Sequence, residues 1–319
     1  MTAHLLDVLI IGAGPAGLSA ALTLGRQAHT AVLFDSGTYR NDATDYMHLI
    51  PGWDHAPPSG FRATAKDNIL SRYDSISIEQ NTNIEAVRQT DSGAFEATAA
   101  DGRVWRGKKI ILASGVEDIF PDIKGYAESW GKSIFHCLFC KGFEQKGCSS
   151  AGVLASDGAF KMVPHALHAA RQAAQLSKVV TLYTNGSEEL AAQIKSALGA
   201  SKVMKVDSRR IRELVPGDAG LVISFQDGME ATEGFLVHMP PTKVRGQFAG
   251  QLNLATTPSG DIKVAQPFPR ASVTGVYAAG DNSSPLKNVP SAIFTGHLAA
   301  QDAMASIQAE SHGQKPLFP

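Results

Sequence analysis

Two thiols in the run Cys137-Leu-Phe-Cys140 are the side chains of this sequence best suited to do chemistry, because such a pair closes into a tight disulfide and reopens by thiolate exchange. The same spacing can be half of a zinc site. Zinc usually takes four Cys or His ligands, however, and only one other cysteine, Cys148, exists in 319 residues, so dithiol/disulfide redox is the better reading. Lys141 follows the pair, and a cation there lowers a thiol pKa and favours the thiolate that attacks or leaves. Exchange also needs a base near the incoming thiol, and His136 is the nearest candidate in sequence, although adjacent residues of one element point in different directions. His297 and Lys141 are weaker candidates. Cys148, between Gly147 and Ser149, reads as a partly buried structural thiol. Leu138 and Phe139 suit a small apolar disulfide, and packing explains them equally well.

The second chemical signal is Gly12-Ala-Gly14-Pro15-Ala16-Gly17. Strand-like Val8 to Ile11, this turn, a helical Ala16 to Gln27 and a second strand Ala31 to Phe34 make a βαβ opening. Gly12 makes the turn, Gly14 lets the backbone approach a pyrophosphate, and Gly17 lets helix and strand pack closely. The helix N-terminus then faces the phosphates with the positive end of its dipole. Asp35 ends the second strand, 23 positions after Gly12, near the spacing at which a carboxylate meets a ribose hydroxyl. A lone glycine fingerprint is a weak signal, and strand, helix and acid in register strengthen it.

Composition leaves room for about two domains: 44% hydrophobic residues and 30 glycines over a length that supports two cores. With 29 Lys plus Arg against 30 Asp plus Glu there is no basic block to track phosphates, so nucleic acid is not an expected partner. Leu5 to Ile11 is interrupted by Asp7 and runs straight into the glycines, which reads as a buried strand rather than a signal peptide, and no apolar run reaches membrane-spanning length. Three cysteines do not make a secreted disulfide framework, and the chain shows no recognisable targeting signal. A reducing compartment, the cytosol, is the expectation.

After Asp35, the stretch from Ser36 to Asn41 and the Pro- and Gly-containing segment Pro51 to Gly60 read as loop. Loop packing is the ordinary explanation for His48, Trp53 and His55 within it. Lys109 to Gly115 reads as a short buried strand running into a small-residue turn. A second α/β pattern follows, with a strand at Gly152 to Ala155, a helix from about Ala159 to Leu176, a strand at Lys178 to Tyr183 and a helix around Ser187 to Leu198. Pro240 to Arg245 reads as the return linker. Thr274 to Asp281 is again a strand ending in a glycine and an acid, and Ser291 to Gln308 a final helix.

In this order, the glycine fingerprint, Asp35, Ala113-Ser-Gly115, the Cys137/Cys140 pair and Thr274 to Gly280-Asp281 resemble the thioredoxin reductase-like flavoproteins over nearly the whole chain. The resemblance implies an α/β fold of two Rossmann-like dinucleotide-binding domains. A discontinuous FAD domain (1–115 and 246–319) would enclose a central NADPH-domain-like region (116–245) that carries the cysteines. It implies FAD held by Gly12, Gly14, Pro15, Ala16, Gly17, Asp35, Ser36, Arg40, Asn41, Ala113, Gly115, Gly280 and Asp281, and it implies a homodimer. Cys137 would exchange with substrate, and Cys140 would stand nearer the flavin.

The departures from that pattern bear on function. The family's second glycine motif should follow the strand at Gly152, yet the sequence reads Ala155-Ser-Asp157-Gly158, where an acid adds like-charge repulsion toward a pyrophosphate. Where the family grips the NADPH 2′-phosphate with arginines, Thr184-Asn-Gly186 stands, and no guanidinium is expected there. Lacking an NADPH site, electrons would run from a substrate dithiol through the Cys137–Cys140 disulfide and FAD to O2. That pattern is similar to the gliotoxin- and holomycin-type dithiol oxidases, which close intramolecular disulfides in sulfur-containing natural products. Two other readings stand beside it: an NADPH-dependent thioredoxin reductase, and a non-turnover flavoprotein whose cysteines serve as a structural clip.

Overall fold

In the computed structural model, which describes residues 5–217 and 220–317, the apolar N-terminal run forms the strand Leu5–Ile11. It pairs in parallel with Ala31–Asp35 on one side and with Val104–Leu112 on the other, and Ile76–Gln80 extends the sheet beyond Ala31–Asp35. Val104–Leu112 serves two partners. Its first half pairs antiparallel with Phe95–Ala99, which in turn pairs with Ile84–Gln89, while Ile110 to Leu112 pair in parallel with Val276–Ala278. Ala31–Asp35 and Val276–Ala278 are buried throughout, as parallel strands covered on both faces must be.

One face of this sheet is covered by the helices Pro15–Gly25 and Val289–Ser311, whose alanines and leucines pack on Val8, Ile10, Leu33 and Ile111. The opposite face buries Leu9, Val32, Phe34 and Ile110 against Phe95 and Phe248. Small residues let the two helices meet at backbone distance: a Cβ at Gly296 would lie 2.1 Å from the Ala16 carbonyl oxygen.

The second sheet is all parallel, in the order Met204–Asp207, Val180–Tyr183, Ala151–Leu154, Leu236–Val237, Ile134–Phe135. Helices Val163–Ala173 and Glu188–Ala197 bury Ala166, Ala169, Ala170, Leu190 and Ile194 against it. Ser187 caps the second of these, its side chain accepting from Leu190 N. A three-stranded antiparallel sheet, Ile211–Gly217, Gly220–Phe225 and Glu230–Glu233, completes this part.

The chain divides into two compact units, one built from the residues up to Asp42, Ile50–Glu117 and those from Lys243 onward, the other from Ala43–Leu49 and Asp118–Thr242. Ala43–Leu49 thus groups with the second unit, a detour invisible to a linear boundary. Two local readings change. Pro58–Leu70 is a helix with proline in its first turn, so Pro58 to Gly60 begin a helix instead of closing a loop. The helix expected from Ala159 starts only at Val163, after a separate 3-10 turn at Gly158–Lys161, because Pro164 suits a helix's first turn and not its interior. Among the described residues, no helix is long and apolar enough to cross a membrane.

Gly296→Ala is expected to destabilise the fold by about 1–3 kcal/mol through forced separation of the two helices, read as a lowered urea midpoint with unchanged slope.

Candidate functional site

The glycine turn is built by backbone contact. Gly12 has φ +108°, and a Cβ there would lie 2.3 Å from the Ala113 carbonyl oxygen, while one at Gly17 would lie 1.8 Å from the Gly12 carbonyl oxygen. Gly14 differs from both, with nothing within 4 Å of its would-be Cβ. Its space faces the N-terminus of Pro15–Gly25, which has no side-chain cap and no acid in its first turn, so the N–H groups of Ala16 and Gly17 are left for an anion. Ala113 N donates to Ile11 O, continuing the strand pairing into the turn, and Gly115 leaves it at φ +70°. Gly280, at φ +80°, would bring a Cβ to 3.0 Å from Ala16 Cβ, and its N–H donates to Thr295 Oγ1. Asp281 accepts from Arg40 Nη1 at 2.9 Å. Among the described residues, the buried Ser114 Oγ and Asn282 Oδ1 of this unit have no hydrogen-bond partner. A cradle with room at Gly14, an uncapped helix end and the orphaned Ser114 hydroxyl, a donor, fit a dinucleotide phosphate group.

Asp35 is buried and already well supplied. Its carboxylate accepts from Gly37 N at 2.9 Å and from the Tyr39 hydroxyl at 2.7 Å, and it pairs with Lys66. Burial alone would raise its pKa, but the bonds from Lys66, Tyr39 and Gly37 outweigh that and hold it below the usual carboxylate range. Its own burial, and then the same carboxylate, push the Tyr39 phenol upward. Arg62 lies over the Tyr39 ring at 3.7 Å and binds Asn41 Oδ1 and Asp42 Oδ1. The sequence places Asp35 at a ribose, and the structure surrounds it with further partners. Arg62 and Lys66 lie on the helix Pro58–Leu70, whose start reads as loop in the sequence, and Tyr39 lies in the stretch that reads as loop after Asp35. Ser36 is exposed, its hydroxyl facing Thr38 N at 3.4 Å.

In the second unit Cys137 and Cys140 are joined in a disulfide, with Cα atoms 5.2 Å apart. Cys140 N–H lies 3.1 Å from Cys137 Sγ, a donor suited to hold negative charge on that sulfur when the bond opens. The Lys141 ammonium is directed to the Gly131 carbonyl at 3.0 Å. Its expected influence on the sulfurs is therefore that of a neighbouring charge, not of a direct contact. His136 is half-buried and its ring stacks on Trp130, 5.9 Å between centroids and 23° between planes. Leu138 is buried in the core, whereas Phe139 is 66% exposed, so packing explains the first and not the second. Cys148 donates to Ser150 O, and burial raises its pKa, as a structural thiol requires. His297 bonds Thr23 at the surface of the first unit.

The turn after Ala151–Leu154 is occupied by its own side chains. Asp157 Oδ1 lies 2.6 Å from His238 Nε2, and His238 Nδ1 lies 2.6 Å from the Tyr126 hydroxyl, with His238 and Tyr126 fully enclosed. Burial pushes the Asp157 pKa up, but His238 leads the contacts that hold it below the usual range. Gly158 is pinned at φ +55°, where a Cβ would lie 2.0 Å from Met239 O. In the first unit the helix starts four residues after its strand; here Val163 follows Leu154 by nine, so the helix end is not presented to the turn. One expectation is corrected. A guanidinium does stand beside Thr184-Asn-Gly186, because Arg210 Nε would lie 3.1 Å from a Cβ at Gly186; the β-strand that follows Arg210 folds back to bring it there, Ile211 N donating to Asn185 Oδ1. Arg209 instead pairs with Asp207 and lies over Phe225.

Residues 6–296 match the pyridine nucleotide-disulphide oxidoreductase family. The chain belongs to that family. Over the whole chain and 99% of the relative it is 53% identical to the thioredoxin reductase tcpT of Claviceps purpurea. It is 43% identical to the thioredoxin reductase aclD of Aspergillus oryzae, over 96% of this chain and 98% of that one. Among solved structures, HlmI superposes with a TM-score of 0.86 at 28% identity, over 98% of this chain and 96% of that chain. The fold is thioredoxin reductase-like, and membership makes the chain a flavin-type oxidoreductase.

Asp35 and Asp157 both carry depressed pKa values, so the stability they lend is complete above about pH 4 and is lost as pH falls through their folded values. Asp35→Asn is expected to flatten the acid limb of a melting-temperature profile run from about pH 6 to about pH 3.

Proposed function

We propose that this protein is an FAD-dependent dithiol oxidase, a homodimer of the cytosol that closes an intramolecular disulfide in a small sulfur-containing natural product of the epidithiodiketopiperazine kind. The observation that carries this reading is the Asp157–His238–Tyr126 chain in the second unit's dinucleotide turn. A carboxylate held anionic there repels a pyrophosphate, and the pinned Gly158 leaves its backbone no freedom to move aside. Reducing equivalents must then come from the thiol side. The relatives' names as thioredoxin reductases, and Arg210 beside Gly186, favour the second reading, an NADPH-dependent reductase.

In the proposed reaction one substrate thiolate attacks a sulfur of the Cys137–Cys140 disulfide, giving a mixed disulfide and a cysteine thiolate. The second substrate thiolate then attacks its own partner sulfur and expels the other cysteine. The S–S bond of the protein is exchanged for that of the substrate, and two electrons and two protons pass to the protein. Attack at Cys137 is carried over from the family, and the Cys140 N–H then supports the charge that Cys137 takes on as it leaves in the second step. His136, kept in one ring orientation by Trp130, takes the first proton. The cradle of Gly12, Gly14, Pro15, Ala16, Gly17, Ala113, Gly115 and Gly280, with Asp281 and Arg40, would hold the FAD phosphates and ribityl chain, and the Asp35, Ser36 and Asn41 region its adenosine. FAD bound there supplies a two-electron acceptor that O2 reoxidises, with hydrogen peroxide as the product.

Cys137→Ser and Cys140→Ser are each expected to lower dithiol-dependent oxygen consumption by at least about 100-fold, as loss of an essential nucleophile does, while flavin absorbance per protein stays unchanged. Near-normal oxygen consumption by either variant would contradict the reading.

A further inference from the structure

The first unit holds a cavity of about 440 Å³ that neither the glycine cradle nor the cysteine chemistry uses, lined by Tyr39, Ser59, Arg62, Ala63, Lys66 and Gln80. That volume suits a small molecule, whose sites run from about 300 to about 1,000 Å³. Most of the lining comes from one helix face: Ser59, Arg62, Ala63 and Lys66 stand at i, i+3, i+4 and i+7 of Pro58–Leu70, and the small Ala63 leaves the space open. Gln80 ends the strand Ile76–Gln80, whose register on Ala31–Asp35 sets it opposite Asp35. Tyr39 and Lys66 both bond the Asp35 carboxylate. The cavity therefore adjoins the acid that the glycine fingerprint's spacing places at a ribose hydroxyl.

Charge decides between an anion and a neutral ring as the occupant. Both cations of the lining already have a counter-ion: Lys66 pairs with Asp35, and Arg62 binds Asp42 Oδ1 at 2.6 Å as well as Asn41 Oδ1 at 3.0 Å. Opposite charges in equal number leave no surplus to hold a phosphate. They leave a polarised wall instead. Arg62 is buried and its guanidinium stands 3.7 Å from the centre of the Tyr39 ring, so a carboxylate, an amide and an aromatic face together hold it in one pose. A planar guanidinium held this way is a surface on which a heteroaromatic ring stacks. Gln80 supplies an edge. Its side chain is exposed and carries a donor and an acceptor side by side, the pattern that meets the amino group and the neighbouring ring nitrogen of adenine.

We infer that this cavity seats the adenine base of the cofactor, with Gln80 selecting the base by its edge and Arg62 supporting its face. The inference rests on the FAD reading and is independent of the direction in which electrons flow. A base joined to a ribose at Asp35 has this cavity beside it, and a neutral, flat, hydrogen-bonding ring is what the lining accepts. The helix Pro58–Leu70 thereby becomes part of the cofactor site, although it lies outside the glycine fingerprint.

The test is equilibrium binding to the full chain stripped of flavin, with FAD fluorescence as the signal and ADP or GDP as competitor, since the two competitors share a ribose diphosphate and differ only in the base. Wild type is expected to bind ADP at least about tenfold more tightly than GDP, the discrimination that one side chain reading a base edge provides. Gln80→Leu should bring ADP down to the level of GDP and leave GDP unchanged. Ala63→Trp, which fills the cavity from the exposed side of the helix, should weaken FAD by at least about tenfold with the melting temperature of the stripped protein unchanged. ADP competing no better than GDP in wild type, an ADP preference that survives Gln80→Leu, or FAD binding untouched by Ala63→Trp would each overturn the inference while leaving the FAD reading in place. A stripped wild type that takes up no FAD would overturn both.

Discussion

Everything in the first unit depends on how closely three stretches of backbone meet around Gly12. Gly12 admits no side chain because Ala113 stands behind it, Gly17 none because Gly12 does, and Gly296 none because Ala16 does. These contacts seat the helix Pro15–Gly25 against the parallel strands with its uncapped end at the space beside Gly14. The alanine-rich faces of this helix and of Val289–Ser311 follow from the same need, since larger side chains would lift them off the sheet. The site is thus a product of main-chain proximity, and only glycine permits it at these positions.

The second unit has the same kind of parallel sheet and lacks that turn. Its strand Ala151–Leu154 ends against side chains: Asp157 toward His238, His238 toward Tyr126, and Gly158 against Met239. A buried imidazole between a carboxylate and a phenol satisfies each group's hydrogen bonding, which buried polar groups must have. The space that elsewhere receives a ligand's charge is filled by the protein's own. From Tyr126 the aromatic packing runs to Trp130 and on to His136, so the rings that enclose the turn also steady the residue preceding Cys137.

The first unit was largely legible in the sequence because its elements carry local signals. The glycine spacing, an apolar run and a terminal acid together specify Leu5–Ile11, Pro15–Gly25 and Ala31–Asp35 to within a few residues. Val104–Leu112 was recognised only in its buried C-terminal half, since its N-terminal half is half-exposed and pairs antiparallel. Long-range partners were not legible. Lys66 on Asp35, His238 on Asp157, Arg210 beside Gly186 and Glu144 on His48 are brought together by chain folding that no periodicity reports. Each of these partners is an ordinary charged or polar residue in sequence, and only the fold turns it into part of a site.

The reaction turns on the direction from which electrons enter. It is tested most directly by anaerobic stopped-flow flavin absorbance of the purified protein, mixed separately with a small epidithiodiketopiperazine-type dithiol and with NADPH. Entry from the thiol side gives rapid bleaching by the dithiol, full recovery when oxygen is admitted, and no bleaching by NADPH on the same timescale. Fast bleaching by NADPH would contradict it, and would mean that the Asp157–His238–Tyr126 turn accepts a nucleotide after all.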